Sequence, residues 1–199
     1  MRRLLAFLAP LLLLAAASAQ TTTWTIDPNH SVAAFTVRHL MINNVRGEFN
    51  KTTGTLQLDP GDITKSSVEA TIDASTVNTR VDARDADLRS PNFFDVAKYP
   101  TLTFKSSKVE QAGPGKLRVT GDLTMHGVTR PVVLDVDGPS PEIKDPWGNT
   151  RIGISATTRI NRKDWGLTYS KLMESGGMMV GEEIAIDLEL ELVKKPAGK

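Results

Sequence analysis

Residues 183–192 read Glu183-Ile184-Ala185-Ile186-Asp187-Leu188-Glu189-Leu190-Glu191-Leu192, and this stretch decides the fold. Large apolar side chains alternate along it with side chains that are mostly acidic. Because successive side chains of a β-strand point to opposite faces, the stretch predicts a strand with one face in a core and the other face in water.

The same period of two recurs along the rest of the chain. Segments 117–125 and 128–136 alternate on either side of His126-Gly127, a dipeptide that predicts a hairpin turn. Further strands are predicted at 32–39, 53–58, 68–74, 101–109 and 151–160. The recurrence predicts an all-β protein.

One segment interrupts the β pattern. Residues 81–89 are rich in Ala, Asp and Arg and have no β-branched residue after Val81, so they predict a short helix. Thr79 is the expected amino-terminal cap, and Pro91 ends the segment. We therefore expect one or two short helices in the connections between strands.

Antiparallel strands with one apolar face need either closure into a barrel or a second layer to protect their edges. The periodicity does not separate a barrel from a sandwich. In a barrel of eight strands, the interior is either filled by side chains or open enough for one small ligand.

The two ends of the chain fall outside the β pattern. Arg2 and Arg3 precede an apolar run at 4–16, and small residues follow up to Ala19, which is the layout of a cleaved secretory signal at 1–19. We expect one domain at 20–193, a disordered tail at 194–199, and no stable membrane insertion once the signal is removed.

Composition excludes several classes of function. The 199-residue chain has no cysteine, which excludes disulfides, thiol catalysis and thiolate metal sites. The signal contains two of the 24 basic residues and none of the 23 acidic ones, so the remainder has a net charge of −1. This balance argues against nucleic acid as a partner.

Four blocks of sequence, in this order, resemble the YceI-like family over residues 24 to about 193. They are Trp24-Thr25-Ile26-Asp27-Pro28-Asn29-His30-Ser31, Arg84-Asp85-Ala86-Asp87-Leu88-Arg89-Ser90, Gly121-Asp122-Leu123-Thr124-Met125-His126-Gly127, and Asn161-Arg162-Lys163-Asp164-Trp165-Gly166-Leu167. The chain departs from the family at Asp87, where members often carry His.

The resemblance implies a closed, antiparallel, lipocalin-like β-barrel of about eight strands. It also implies an exported bacterial protein, periplasmic or secreted, that holds a long polyisoprenoid or an isoprenoid quinone-like molecule inside the barrel. The family has no agreed catalytic residues and implies no cofactor. Either a monomer or a homodimer is compatible with the sequence.

Candidate ligand-binding residues form an apolar and a polar set. The apolar set, expected to line the cavity, is Phe35, Val37, Phe49, Phe93, Phe94, Leu102, Phe104, Trp165 and Met178. Met178 belongs to a methionine-rich segment around Gly176-Gly177 that suggests a lid over the cavity mouth. Any one of these residues fits a plain core position equally well.

The polar set, placed at the cavity mouth, is Arg38, His39, Arg84 and Asp85. A guanidinium group suits a phosphate head group, although salt bridges that hold the helix over the barrel are the more ordinary role. Residues 162–164 read as a turn with solvated charges. The three histidines, His30, His39 and His126, are expected to be structural, so no metal site is predicted.

These observations predict a lipid carrier or reservoir and not an enzyme. The sequence has no G-x-S-x-G elbow, no H-E-x-x-H helix and no phosphate-binding P-loop. Two alternatives stay open: a filled barrel that binds a protein partner on its surface, and an enzyme acting on a lipid. A cavity would favour the carrier over the filled barrel, and converging polar groups would favour the enzyme.

Overall fold

The alternating stretch at 183–192 forms the middle of a long strand that pairs with three others. The computed structural model describes residues 20–173 and 178–196, so the predicted signal at 1–19 lies outside the described residues. The described residues form one α-helix, α1 (Asp82–Arg89), and twelve strands. The strands are β1 (Thr22–Ile26), β2 (Val32–His39), β3 (Asn43–Phe49), β4 (Thr52–Leu58), β5 (Ser67–Asp73), β6 (Val77–Asn78), β7 (Thr101–Gly113), β8 (Lys116–Met125), β9 (Val128–Asp137), β10 (Ile143–Lys144), β11 (Thr150–Asn161) and β12 (Val180–Lys194).

The sheet closes on itself because β11 pairs with β9 on one side and with β12 on the other. One edge of β12 pairs with two strands, with β2 along residues 180–189 and with β1 along residues 192–194. In the next position of the ring, β3 pairs with β2 and β4 pairs with β1. The ring then runs through β5, β7, β8 and β9. The result is a closed antiparallel barrel of eight strands, as the resemblance implied, and not a sandwich.

The predicted hairpin at His126-Gly127 is confirmed. Both residues have positive φ, 51° and 75°, and Met125 pairs directly with Val128 across the turn. Two positive φ values are what a two-residue turn needs to match the right-handed twist of its strands. Strands β1 and β3 were missed, because β1 is short and β3 contains Arg, Gly and Glu.

The seam between β9 and β11 is short, with three residue pairs from Ser155↔Asp137 to Thr157↔Asp135. Beyond these pairs the 3-10 helix Arg162–Trp165 packs against β9. Trp165 is 2% exposed, and its indole N–H donates to the Leu123 carbonyl at 3.0 Å. This helix therefore completes the barrel wall where strand pairing stops.

One local prediction was wrong. The cap position of α1 is Val81, without a side-chain cap, and Thr79 lies two residues before it. The carboxyl-terminal strand includes Lys194, and the backbone N–H of Lys195 donates to Thr23. The tail at 194–199 thus begins with residues paired to β1.

The core has three parts stacked along the barrel. One end is filled by a cluster that includes Trp24, Ile26 and Leu192, none of them more than 2% exposed. The opposite end, called here the helix end, packs Phe49 and Trp165 against residues of the connection after α1. In the part of the chain that is described, no helix has the length and apolar character needed to cross a bilayer.

Candidate ligand-binding cavity

The inward faces of the strands enclose a cavity of about 250 Å³. Its wall along β12 consists of every second residue: Ile184, Ile186, Leu188, Leu190 and Leu192. The acidic residues between them point outward, which is the arrangement that the alternation predicted. The apolar stretch at 184–192 is therefore the wall of the cavity and not only packing for a core.

The accessible wall of the cavity is apolar. Five polar residues border it, but their polar atoms turn away from the enclosed space: Thr52, Ser66, Ser67, Thr158 and Arg162. Among the described residues, a molecule inside would meet carbon atoms and find no hydrogen-bond donor or acceptor on the wall. Recognition inside this cavity would rest on shape and on the burial of apolar surface.

Two glycines give the wall its shape. A Cβ atom on Gly47 would lie 2.4 Å from the ring carbon Cζ of Phe35, and one on Gly121 would lie 2.4 Å from Cζ of Phe104. Both distances are far below van der Waals contact, so the two rings lie over the glycines. Any side chain at either glycine would push a ring out of place and change the enclosed space.

Seven of the nine residues predicted to line the cavity do so: Phe35, Val37, Phe49, Phe93, Phe94, Leu102 and Phe104. Trp165 and Met178 do not border it. The Trp165 ring packs within the core behind the wall, and Met178 pairs with Leu172 in a separate hairpin. Gly176 and Gly177 of the suggested lid lie outside the described residues.

Aromatic rings close the helix end of the cavity. The ring of Phe49 packs against Phe35 at 5.8 Å and edge-on against Phe94 at 5.4 Å, measured between centroids. Phe93 meets Tyr169 edge-on at 5.2 Å. Such tilted contacts are the favoured geometry for aromatic pairs. The connection after α1 and the segment after the 3-10 helix thus meet over this end.

The polar set lies off the cavity wall. Asp85 is 5% exposed and accepts the backbone N–H of Thr79 at 2.8 Å and its hydroxyl at 2.5 Å. Arg84 donates to the same threonine, to Oγ1 at 2.7 Å and to the carbonyl at 2.8 Å. These contacts tie α1 to the segment before it, which is a structural role for both residues, and their contact with a ligand head group stays a prediction.

Arg38 and His39 also lie outside the cavity. Arg38 is exposed on the outer face of β2 and donates to Asn44 at 3.2 Å. His39 ends β2 opposite Val180. Strand alternation explains the placement of Arg38, because its neighbour Val37 points inward. Contact between these two side chains and a ligand head group stays a prediction.

Arg162, expected to be solvated, is 3% exposed. Its guanidinium donates to the carbonyls of Gly181 at 2.8 Å, Val180 at 3.2 Å and Leu167. Burial lowers the pKa of this guanidinium, and nearby Glu182 opposes that shift. Arg162 therefore joins the end of β11 to the start of β12, a role that no local sequence pattern reveals.

Ligand atoms of Asp27, His30 and Glu191 lie within 4.8 Å of one another, a spacing that could hold a cation. A cation is already there: Arg151 donates to Asp27 at 2.7 Å and also pairs with Glu191 and Asp145. Hydrogen bonds from Arg151 and then His30 lower the pKa of Asp27 to about 2. The cluster is a surface ion network at the end opposite the helix end.

The YceI-like domain matches residues 24–192. A UPF0312 protein of Vibrio cholerae is 36% identical over 177 residues, which cover 88% of each chain.

Two solved structures share the barrel. The YCEI protein of Campylobacter jejuni has a TM-score of 0.67 and 31% identity, with 79% of this chain and 90% of that chain covered. A polyisoprenoid binding domain from Saccharophagus degradans, implicated in plant cell wall breakdown, has a TM-score of 0.63 and 18% identity, with 87% and 99% covered. The match over residues 24–192 and the identity to the Vibrio relative show that this chain belongs to the YceI-like family.

Proposed function

We propose that this protein is exported by a bacterium and holds a long apolar lipid of the polyisoprenoid class inside its barrel, for storage or transport. The observation that carries the proposal is the cavity, whose accessible wall is apolar throughout. The described binding of a polyisoprenoid by the Saccharophagus domain, which has the same fold, supports the choice of lipid class.

The energetics of burial suit such a ligand. At about 0.8 kcal/mol for each buried CH₂ group, one five-carbon isoprene unit contributes roughly 3–4 kcal/mol before costs. Association costs about 4–15 kcal/mol in lost freedom of motion. Two to four buried units therefore offset the cost, and a shorter prenol should bind weakly.

The size of the cavity adds a constraint. Its volume of about 250 Å³ lies just below the range of roughly 300–1,000 Å³ for small-molecule sites. A long isoprenoid must therefore displace wall side chains or leave part of its length outside the barrel. We expect affinity to rise with each added isoprene unit and then to level off.

The wall favours binding over catalysis and over a filled barrel. An enzyme acting on a lipid would need polar groups that converge on the bound molecule, and the cavity offers an apolar wall instead. A filled barrel would leave no enclosed volume. The role of carrier or reservoir is the one that uses the cavity.

The test is mass spectrometry of the organic extract from protein purified without detergent from an exporting host, followed by titration with farnesol, geranylgeraniol and longer polyprenols. A stoichiometric prenyl species, and affinity that increases with chain length, would support the proposal. Empty protein that also fails to bind every added prenol would refute it.

A matched pair of variants on β5 connects binding to the cavity. Ala70 lines the cavity, whereas the next residue, Thr71, is exposed on the outer face. Ala70→Phe should weaken prenol binding by roughly tenfold or more, because the added ring occupies the space that the ligand needs. Thr71→Phe adds the same ring outside and should leave binding unchanged.

A further inference from the structure

Two neighbouring hairpins at the helix end present large apolar side chains to solvent. Met41 and Ile42, in the turn between β2 and β3, are 52% and 75% exposed. Leu172, in the hairpin that precedes β12, is 72% exposed. We call these three side chains the tip surface. None of them borders the cavity.

Hydrogen bonds hold the two hairpins together. The backbone N–H of Leu40 donates to the Met179 carbonyl at 2.8 Å, and the N–H of Met179 donates to Lys171 at 2.9 Å. Leu172 pairs with Met178 in an isolated bridge. The exposed side chains therefore belong to one connected surface and not to two unrelated loops.

The stability of the fold does not explain which residues occupy the turn between β2 and β3. Leu40 and Met41 have φ values of 49° and 60°, in the left-handed region that Gly and Asn occupy at least cost. A turn selected for stability would carry such residues, with polar side chains toward water. Apolar side chains on this strained turn indicate that the surface has another use.

Three exposed cations flank the tip surface within the described residues. Arg38, Arg46 and Lys171 are exposed, and none of them forms a salt bridge within the described residues. On β7, by contrast, the exposed Lys105 pairs with Glu69. Between positions 36 and 47 the sequence contains no acid, and Glu174 is the one acid in the segment 174–177, which is outside the described residues.

We propose that the tip surface docks onto a lipid bilayer that contains anionic phospholipid. Exposed apolar side chains enter the interface, and the flanking cations meet anionic head groups. Val37 and Val180 stand next to the two hairpins and line the cavity, so docking brings the cavity wall close to the bilayer. This inference rests on the proposed function, since it supplies the route by which the lipid reaches the barrel.

The test is flotation of the whole protein with vesicles of phosphatidylcholine alone or mixed with phosphatidylglycerol. The protein should float with the mixed vesicles and detach at high salt. The triple variant Met41→Ser, Ile42→Ser, Leu172→Ser should lose roughly tenfold or more of its vesicle affinity. Arg38→Gln with Arg46→Gln and Lys171→Gln should lose the preference for phosphatidylglycerol.

Trp147 provides the matched control. It is 81% exposed in the loop before β11, at the opposite end of β12 from the tip surface. Trp147→Ser should leave flotation unchanged, and brominated lipids should not quench Trp147 in the bound protein. Equal flotation of the triple variant and the wild type would overturn the proposal. Quenching of Trp147 would also overturn it. So would a homodimer in sedimentation that the triple substitution disrupts while vesicle binding stays unchanged.

A separate measurement distinguishes this inference from the proposed function. Binding of geranylgeraniol in solution, without vesicles, should be the same for the triple variant and the wild type, because the tip surface does not line the cavity. Reduced flotation with unchanged solution binding supports both proposals. If no isoprenoid binds to either protein, the proposed function fails. The flotation result alone then decides whether the tip surface docks onto a bilayer.

Discussion

Replacement of Arg162 by methionine should destabilise the barrel strongly. The guanidinium is 3% exposed and donates to three carbonyls: those of Gly181, Val180 and Leu167. Methionine fills similar space but leaves those carbonyls without their charged donor. A hydrogen bond to a charged group contributes about 1.5–3 kcal/mol, and desolvation of the buried charge offsets part of the sum.

The expected loss in the free energy of unfolding is therefore about 3–5 kcal/mol, out of a total of roughly 5–15 kcal/mol for a domain. Urea denaturation at neutral pH measures this loss, provided that the slope of the transition is unchanged. Thermal unfolding should move down by about 10 °C, at roughly 2–4 °C for each kcal/mol in a domain of this size.

Arg159→Met is the matched control. Arg159 lies three residues earlier on β11, is 68% exposed and pairs with the exposed Glu183. Loss of such a surface pair should cost less than about 1 kcal/mol. Arg162→Lys should fall between the two, since an ammonium retains the charge but cannot reach three carbonyls with a planar fork. If both methionine variants lose the same stability, Arg162 does not join the end of β11 to the start of β12.

Three further predictions concern the cavity and the ion network. Gly47→Ala should weaken prenol binding by roughly tenfold, since the new Cβ, 2.4 Å from the ring of Phe35, pushes that ring into the cavity; unchanged affinity in a prenol titration would contradict this. Thr52→Val should raise the unfolding free energy by about 1 kcal/mol, because the buried hydroxyl of Thr52 has no partner within the described residues; a urea midpoint at or below that of the wild type would show otherwise. The pKa of Asp27, lowered from 3.8 to about 2 by Arg151 and then His30, should contribute stability above pH 4 that is lost as the pH falls through 2. Arg151→Gln should shift that loss to higher pH in an acid titration followed by circular dichroism, and coincident curves would refute the assignment.

Local periodicity was enough to predict which face of the carboxyl-terminal strand is buried, but not that this face lines a cavity. Alternation at 183–192 identified the strand and its inward face, because the two faces of a strand differ in solvent and therefore in residue type. The His126-Gly127 turn was also predictable from local sequence, because its geometry depends on two adjacent residues. Seven of the nine aromatic and aliphatic residues expected at the cavity border it in the structure, and their contact with a ligand stays a prediction.

Only the tertiary structure decided how the strands close into a barrel and which of the predicted side chains do not line the cavity. Closure depends on β12 pairing with β1, across most of the length of the chain. Trp165 was misplaced because a 3-10 helix that fills a gap in strand pairing directs its ring into the core behind the wall. Arg162 looked solvated because the carbonyls that bury it include two from the start of β12, 18 and 19 residues away. Alternation is a local property and is visible in the sequence itself. Burial and the partners of a charged group depend instead on segments that meet only when the barrel has closed.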